Sequence, residues 1–477
     1  MGKCFQEKDP SMKNFMEPES VAIIGISRKT GPGSFNLMES MIKFGFSGKI
    51  FPINPNATEI LGKKVYPNVR SVKDKIDLAI LSTPREDTIN CLKDCVAAHI
   101  KAAIVVNQGF ADADSRGKEI QREMTEIARK DGIRILGPNT LGVLNNFKDF
   151  TTSFMPLSKE KAPVGLICQS GVFFVGARKF SGMIGKGIDL GNACDIGFYE
   201  SLKYLGEDPD IKIIAIHMEG LGEGKEFLSL ASRIVKEKPI IIFKTGSSAT
   251  GAKSALSHSG SMAGNYDVYK AGLKQAGVTF LEEDGQMMAA VKTMLNLPAM
   301  KGNGVAVVTF SGAAGIMVTD ALERYGLRLA SLSPETIRML AELSPDWMPL
   351  GNPLDIWPAV MKHGAGKAYS IALSAVMNDQ NVDGVIGIAT APVIPEFSFL
   401  DVSEALNNII EELPRKPVLF WLYGPNPEEI GERFEFKKRI MTYPTLEMAA
   451  WSLSLLRDRH SCLDRENNKL WTSNSAI

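Results

Sequence analysis

A chain of 477 residues, 44% hydrophobic and 23% charged, has material for several cores and reads as two to four domains. Its 54 basic and 54 acidic residues cancel, which argues against bulk binding of nucleic acid or of an anionic membrane surface. No apolar run approaches the roughly 18 residues of a membrane span. The first fifteen residues hold no apolar signal core, and six cysteines without metal-type spacing fit free thiols in a reducing cytoplasm.

In chain order, short β-branched runs alternate with amphipathic stretches. "SVAIIG" (20–25) reads as a strand, and the helix after it (34–46) places Leu37, Met38, Met41 and Ile42 on one face. "KIFPINP" (49–55), "LAILSTP" (78–84), "KAAIVVNQGF" (101–110) and "IRILGPN" (133–139) follow, with helical patterns between. Cys91 and Cys95, one helical turn apart, read as packing. Near-continuous apolar strands separated by helices mean a parallel sheet covered on both faces. Residues 1–150 are therefore expected to form a Rossmann-like domain.

The pattern restarts with "APVGLICQSG" (162–171), "KGIDLGN" (186–192), "IKIIAIHMEG" (211–220), "KPIIIFKTG" (238–246) and "GVTFLEE" (277–283), a second α/β unit over 151–296. "LNLPAMKGNG" (295–304) reads as a linker. A third unit over 297–460 opens with "GVAVVTFSGAAG" (304–315) and continues through "VDGVIGIAT" (382–390) and "KPVLFWLYG" (416–424); residues 461–477 read as a polar tail.

Two stretches invite a phosphate. Gly246 and Gly251 have Walker A spacing, but Ala252 displaces Lys253-Ser254 by one position, which excludes a P-loop. The first βα turn, "GISRKTGPGSF", offers a helix N-terminus to an anion, or only makes a tight turn. Its spacing is not GxGxxG, and the second strand ends "INPN", without the acid that holds a ribose diol. A nicotinamide cofactor is thereby disfavoured, and another phosphate-bearing ligand fits better. "CQSGVFFVGARKF" (168–180) and "FSGAAG" (310–315) are further strand-to-helix turns of this type.

His258 is one of five histidines and stands in "SALSHSGSMAG", among serine, glycine and alanine and with no hydrophobic stripe. An imidazole on a small-residue arm can carry a phosphoryl group between two sites. It can equally be a polar loop histidine without a role.

The stretch "SHSGSMAG" resembles the S-H-[TS]-G-x-[LM]-A-G signature of the NDP-forming acyl-CoA synthetases, which include ADP-forming acetyl-CoA synthetases and succinyl-CoA synthetase. "SVAIIGISRK", "GKIFPINPN", "QGF", "GPNTLG", "CQSGV", "GNACD" and "GNPLDIWPA" occur in the order of that family's α chain, so the resemblance covers residues 18–455. It implies an α/β chain in which an N-terminal Rossmann-like CoA-binding domain precedes two flavodoxin-like, succinyl-CoA synthetase-like domains. His258 would be phosphorylated, and Glu219 would accept a hydrogen bond from its ring. Ser170 and Gly171 would hold phosphate. Gly25, Ser27, Lys29, Gly33, Asn54, Pro55, Thr83, Pro84, Gln108, Gly109 and Asn139 would line the coenzyme A site. The family also implies a separate ATP-grasp β subunit, which binds ADP or ATP with Mg²⁺, in a cytoplasmic αβ or α2β2 hetero-oligomer. No metal site is expected in this chain. Thr140 stands where the family more often has cysteine, and Ser247 where it often has arginine. The bulky Val172-Phe173-Phe174 reads as an altered pocket wall or as helix packing. "FSGAAG" and "NPLDIW" read as turn chemistry as readily as a site. A CoA-binding regulatory or scaffold protein that has kept the fold without turnover is the alternative.

Overall fold

The computed structural model describes residues 10–248, 250–251, 265–392 and 395–474. The chain divides into two compact units, Met1–Met288 and Ala289–Ile477.

The first unit contains two sheets. One is built from β1 (Ser20–Ile24), β2 (Lys49–Ile53), β5 (Leu78–Leu81), β6 (Ala102–Val105) and β7 (Arg134–Leu136), all parallel, in the order β2-β1-β5-β6-β7. A small hairpin of β3 (Glu59–Ile60) and β4 (Lys63–Lys64) lies outside it. Every residue of β1, β5 and β6 is buried, as two helix-covered faces require. In the helix Leu37–Phe44, Leu37, Met38 and Met41 are buried, whereas Ile42, expected on the same face, is 42% exposed.

The second sheet runs β14-β13-β12-β10-β11-β8-β9. Its parallel part is β10 (Val164–Cys168), β11 (Lys186–Asp189), β12 (Ile213–Met218), β13 (Ile240–Lys244) and β14 (Thr279–Leu281). The short strands β8 (Val143–Asn145) and β9 (Phe150–Thr151) add to its β11 edge antiparallel, so chain before residue 150 already belongs to this sheet. The N-terminal helix Pro10–Met16 buries Met12, Phe15 and Met16 completely, and Asn145 donates its side-chain amide to the Met16 carbonyl at 3.0 Å.

The second unit is one parallel sheet, β16-β15-β18-β19-β20, with β17 also on β15. Its strands are β15 (Gly304–Thr309), β16 (Arg328–Leu329), β17 (Leu354–Asp355), β18 (Gly384–Thr390), β19 (Val418–Tyr423) and β20 (Ile440–Tyr443). Apolar clusters cover both faces. The stretch expected as a linker is part of this unit, with Met300 fully buried and its N–H donated to the Leu456 carbonyl at 3.2 Å. The last helix, Leu446–Asn474, continues through residues expected as a polar tail. Among the described residues no helix is long and apolar enough to cross a membrane.

Candidate functional site

In an open parallel sheet, ligands bind outside the carboxyl ends of the strands, where neighbouring crossovers leave in opposite directions. In the first sheet that point lies between β1 and β5, and the candidate CoA residues gather along this edge. Gly25 follows β1, Asn54-Pro55 follows β2, Thr83-Pro84 lies just beyond β5, and Gln108-Gly109 lies just beyond β6. Main-chain bonds stitch the edge together: Gly25 N–H to the Ile53 carbonyl (3.0 Å), Ser82 to Ile24 (2.9 Å), Val106 to Leu81 (3.1 Å) and Asn139 to Asn107 (2.9 Å).

Gly25 has φ +82°, and a Cβ there would come within 2.6 Å of the Ser82 carbonyl and Thr83 Cγ2. Only glycine fits a chain that turns this sharply against its neighbour. The loop beyond it is pinned from both sides. Asn54 donates to the Ile26 carbonyl at 2.8 Å. The buried Asn36 donates to the Ser27 and Lys29 carbonyls at 2.9 and 3.0 Å, while its oxygen caps the following helix by accepting Glu39 N–H at 3.1 Å. The Ser27 hydroxyl accepts Lys29 N–H at 3.1 Å. Ser27, Lys29 and Gly33 remain exposed at the tip. Behind the turn, a cavity of about 450 Å³ separates Gly31–Phe35 from Ser153–Leu157.

The second sheet has its own turning point between β10 and β12. Ser170 and Gly171 lie beyond β10, and the buried Glu219 directly follows β12. Ser170 starts the short helix Gly171–Val175 without spending its side chain on a cap, and the first N–H groups of a helix have no acceptor within it. Gln169 joins the two positions: its side-chain oxygen accepts Glu219 N–H at 2.8 Å and Gly220 N–H at 3.0 Å. From the other side, the buried Lys244, last residue of β13, donates to the Glu219 carbonyl at 2.9 Å and the Thr245 carbonyl at 3.0 Å. Burial pulls the Lys244 ammonium below its ordinary pKa, and the Glu219 charge opposes this.

The two edges meet through residues 139–141. Leu141 approaches Gly171 so closely that a Cβ on that glycine would lie 3.0 Å from Leu141 Cδ1. Leu141 N–H also donates to Asp189 Oδ2 at 2.7 Å. Burial raises Asp189 to about 6, against the pull of the Leu141 N–H and others. Thr140, at the family's cysteine position, is buried, with its hydroxyl donated to the Asp189 carbonyl.

His258 lies outside the described residues; after β13 the described chain runs through Thr245 to residues 250–251 and resumes at Asn265, which caps the helix Tyr266–Gln275. Val172 is 65% exposed, while Phe173 and Phe174 are buried, so two of the three bulky residues are packing. In the second unit, Ser311 caps the helix Gly312–Arg324, and Asn352 bonds Val307 N–H and the Val305 and Ala330 carbonyls. The motifs "FSGAAG" and "NPLDIW" thus serve turn chemistry there, beside a cleft of about 370 Å³ lined by Thr309, Gly312 and Asp355. Among the described residues, no group of three or more His, Cys, Asp or Glu side chains is arranged to hold a metal ion. Gln169, Lys244, Asn36 and Asp189 escaped sequence reasoning. Lysine ending the strand "IIIFK" and aspartate ending "KGID" were the local signals.

The chain matches the sequence families described as CoA binding domain, over residues 19–146, and succinyl-CoA ligase like flavodoxin domain, over 161–294. It is 38% identical over 397 residues to an ADP-forming acetate–CoA ligase II of Archaeoglobus fulgidus, covering 82% of this chain and 58% of that protein. It is 31% identical over 442 residues to the α subunit of ADP-forming acetate–CoA ligase II of Pyrococcus furiosus, covering 91% and 95%. A solved structure of the dinucleotide-forming acetyl-coenzyme A synthetase 1 of Ca. Korarchaeum cryptofilum, in complex with phosphate and ADP, superposes with a TM-score of 0.84 at 29% identity, covering 95% and 98%. The chain therefore spans little more than half of the Archaeoglobus relative and nearly all of the Pyrococcus subunit.

Proposed function

Because the chain belongs to the family of ADP-forming acetate–CoA ligases, we propose that it is the α chain of an NDP-forming acyl-CoA synthetase, catalysing acyl-CoA + ADP + phosphate ⇌ carboxylic acid + ATP + CoA. One observation carries this reading: residues 139–141 join the edge that would hold coenzyme A to the edge that would hold phosphate.

CoA would lie along Gly25, Ser27, Lys29, Gly33, Asn54-Pro55, Thr83-Pro84, Gln108-Gly109 and Asn139, its thioester toward Leu141. Phosphate at Ser170-Gly171 attacks the thioester carbonyl, the C–S bond breaks, and CoA thiolate leaves an acyl phosphate. The His258 ring attacks the phosphorus, the P–O bond to the acyl oxygen breaks, and the carboxylate departs. Glu219 accepts the ring's other N–H, which fixes the tautomer and stabilises the growing positive charge.

The arm then delivers the phosphoryl group to ADP on an ATP-grasp β subunit. That subunit would supply Mg²⁺ to neutralise the nucleotide's phosphate charge. Acetyl-CoA is the first substrate to try.

The test is release of free CoA thiol from acetyl-CoA and phosphate by this chain alone. The expected result is a burst of about one thiol per chain, as one covalent turnover requires, with sustained release only when ADP, Mg²⁺ and an ATP-grasp chain are added. A CoA-binding regulatory protein would bind acetyl-CoA and release nothing.

A further inference from the structure

We infer that Gln169 and Lys244 together clamp the main chain of Glu219 and are positioning residues for phosphoryl transfer, a role that rests on the reading above. Glu219 follows β12, the strand between β10 and β13. Each flanking strand sends one buried polar side chain over the end of the middle one. Gln169, 7% exposed, takes the N–H groups of Glu219 and Gly220 on a single oxygen. Lys244, 1% exposed, donates to the carbonyls of Glu219 and Thr245. Its Nζ also lies 4.8 Å from the ring centroid of Tyr269, whose hydroxyl accepts Leu221 N–H at 3.2 Å.

These contacts replace a ladder that has ended. β12 ends at Met218, and an unfixed Glu219 would carry its carboxylate through a range of positions. Side chains now take four main-chain groups of residues 219–221. The lysine does more than fix Glu219. Thr245 begins the segment that leads to His258, and Tyr269 lies on the helix that follows it. One ammonium group thus touches the exit of the arm, its return and the carboxylate's root.

Packing alone does not account for these side chains. Burying an ammonium costs free energy that a methionine of similar length would not. Methionine cannot hold two carbonyl oxygens. A displacement of about 1 Å between reacting groups can cost on the order of 100-fold in rate, so fixing this backbone has catalytic value.

The experiment uses the full chain, acetyl-CoA and labelled inorganic phosphate, and reads the initial rate of acid-labile, base-stable label. Lys244→Met, Gln169→Met and the double variant are compared, with thermal melts and CoA titrations on each. Each single variant is expected to slow labelling by about 10–100-fold while CoA affinity stays within about twofold. The double variant is expected to be about as slow as the slower single one, because both act on one peptide. Single variants that label at the wild-type rate overturn the clamp, as does a double variant whose loss is the product of the two. If Lys244→Met does not fold, Gln169→Met decides the matter by the same margins. Wild-type label that His258→Ala abolishes secures the underlying reading separately; its absence would overturn that reading and this role together.

Discussion

His217 lies flat against Phe173, with ring centroids 3.9 Å apart and planes 10° from parallel. The stack puts a histidine two residues before Glu219, buried where it could not carry a phosphoryl group. His217 is 1% exposed, and burial, aided by the nearby Lys244 charge, lowers its pKa to about 3. It is a neutral packing ring. Because its folded pKa lies below the unfolded one, its contribution to stability is present above about pH 6.5 and lost as pH falls toward 3. Wild-type protein should lose roughly 3–5 kcal/mol more between pH 7 and pH 3 than His217→Gln does. Urea melts across that range check this; parallel curves for the two proteins would contradict it.

Asp189 should behave in the opposite sense. Its folded pKa, raised to about 6 by burial, exceeds the unfolded value, so its contribution is present at low pH and disappears as pH rises through 6. Asp189→Asn should gain on wild type by on the order of 2–3 kcal/mol between pH 4 and pH 7.5, measured by the same melts. An unchanged difference would mean that Asp189 is charged and satisfied at its site.

Gly25→Ala adds a methyl group at φ +82° and within 2.6 Å of two atoms of the neighbouring strand end. A cost of about 1–3 kcal/mol in stability is expected, with CoA affinity reduced at least ~10-fold by the displaced turn. Calorimetric titration with CoA reads the second effect directly, and unaltered affinity would remove this turn from the CoA site.

Asn36→Ala removes a helix cap and two bonds to the Ser27 and Lys29 carbonyls at once. A loss of roughly 2–3 kcal/mol is expected from one cap and two hydrogen bonds. Asn36→Asp keeps the cap oxygen but sets a buried carboxylate oxygen against both carbonyls, so it should be at least as weak as alanine. Chemical denaturation orders the three proteins, and an aspartate variant as stable as wild type would show that the two donated bonds contribute nothing.

The apolar strands were legible because burial on both faces writes continuous runs such as "SVAII" and "IIAIHM". The β8–β9 pair was not: "VLNNFKDFTT" is short and polar, and it exists only because β11 offers an edge to pair with. Ile42 fits the helical period yet faces outward, since period alone does not say how wide the covered stripe is. The edge residues from Gly25 to Gln108 were found through the family's motifs, and the structure places several of them just beyond strand ends. Gln169 and Lys244 were not legible, because their common partner Glu219 appears only once β10, β12 and β13 are side by side. Nothing local in "CQSG" distinguishes a glutamine that holds a backbone from one in solvent.

Every step of the proposed reaction after the acyl phosphate runs through His258 as the phosphoryl carrier. The most direct test of that role is to incubate the chain with acetyl-CoA and labelled phosphate, quench in base, and map the modified peptide by mass spectrometry, with His258→Ala alongside. One acid-labile phosphate on the peptide containing His258, and none in the variant, is the expected result. Phosphate on another residue, or label that persists in His258→Ala, would contradict it.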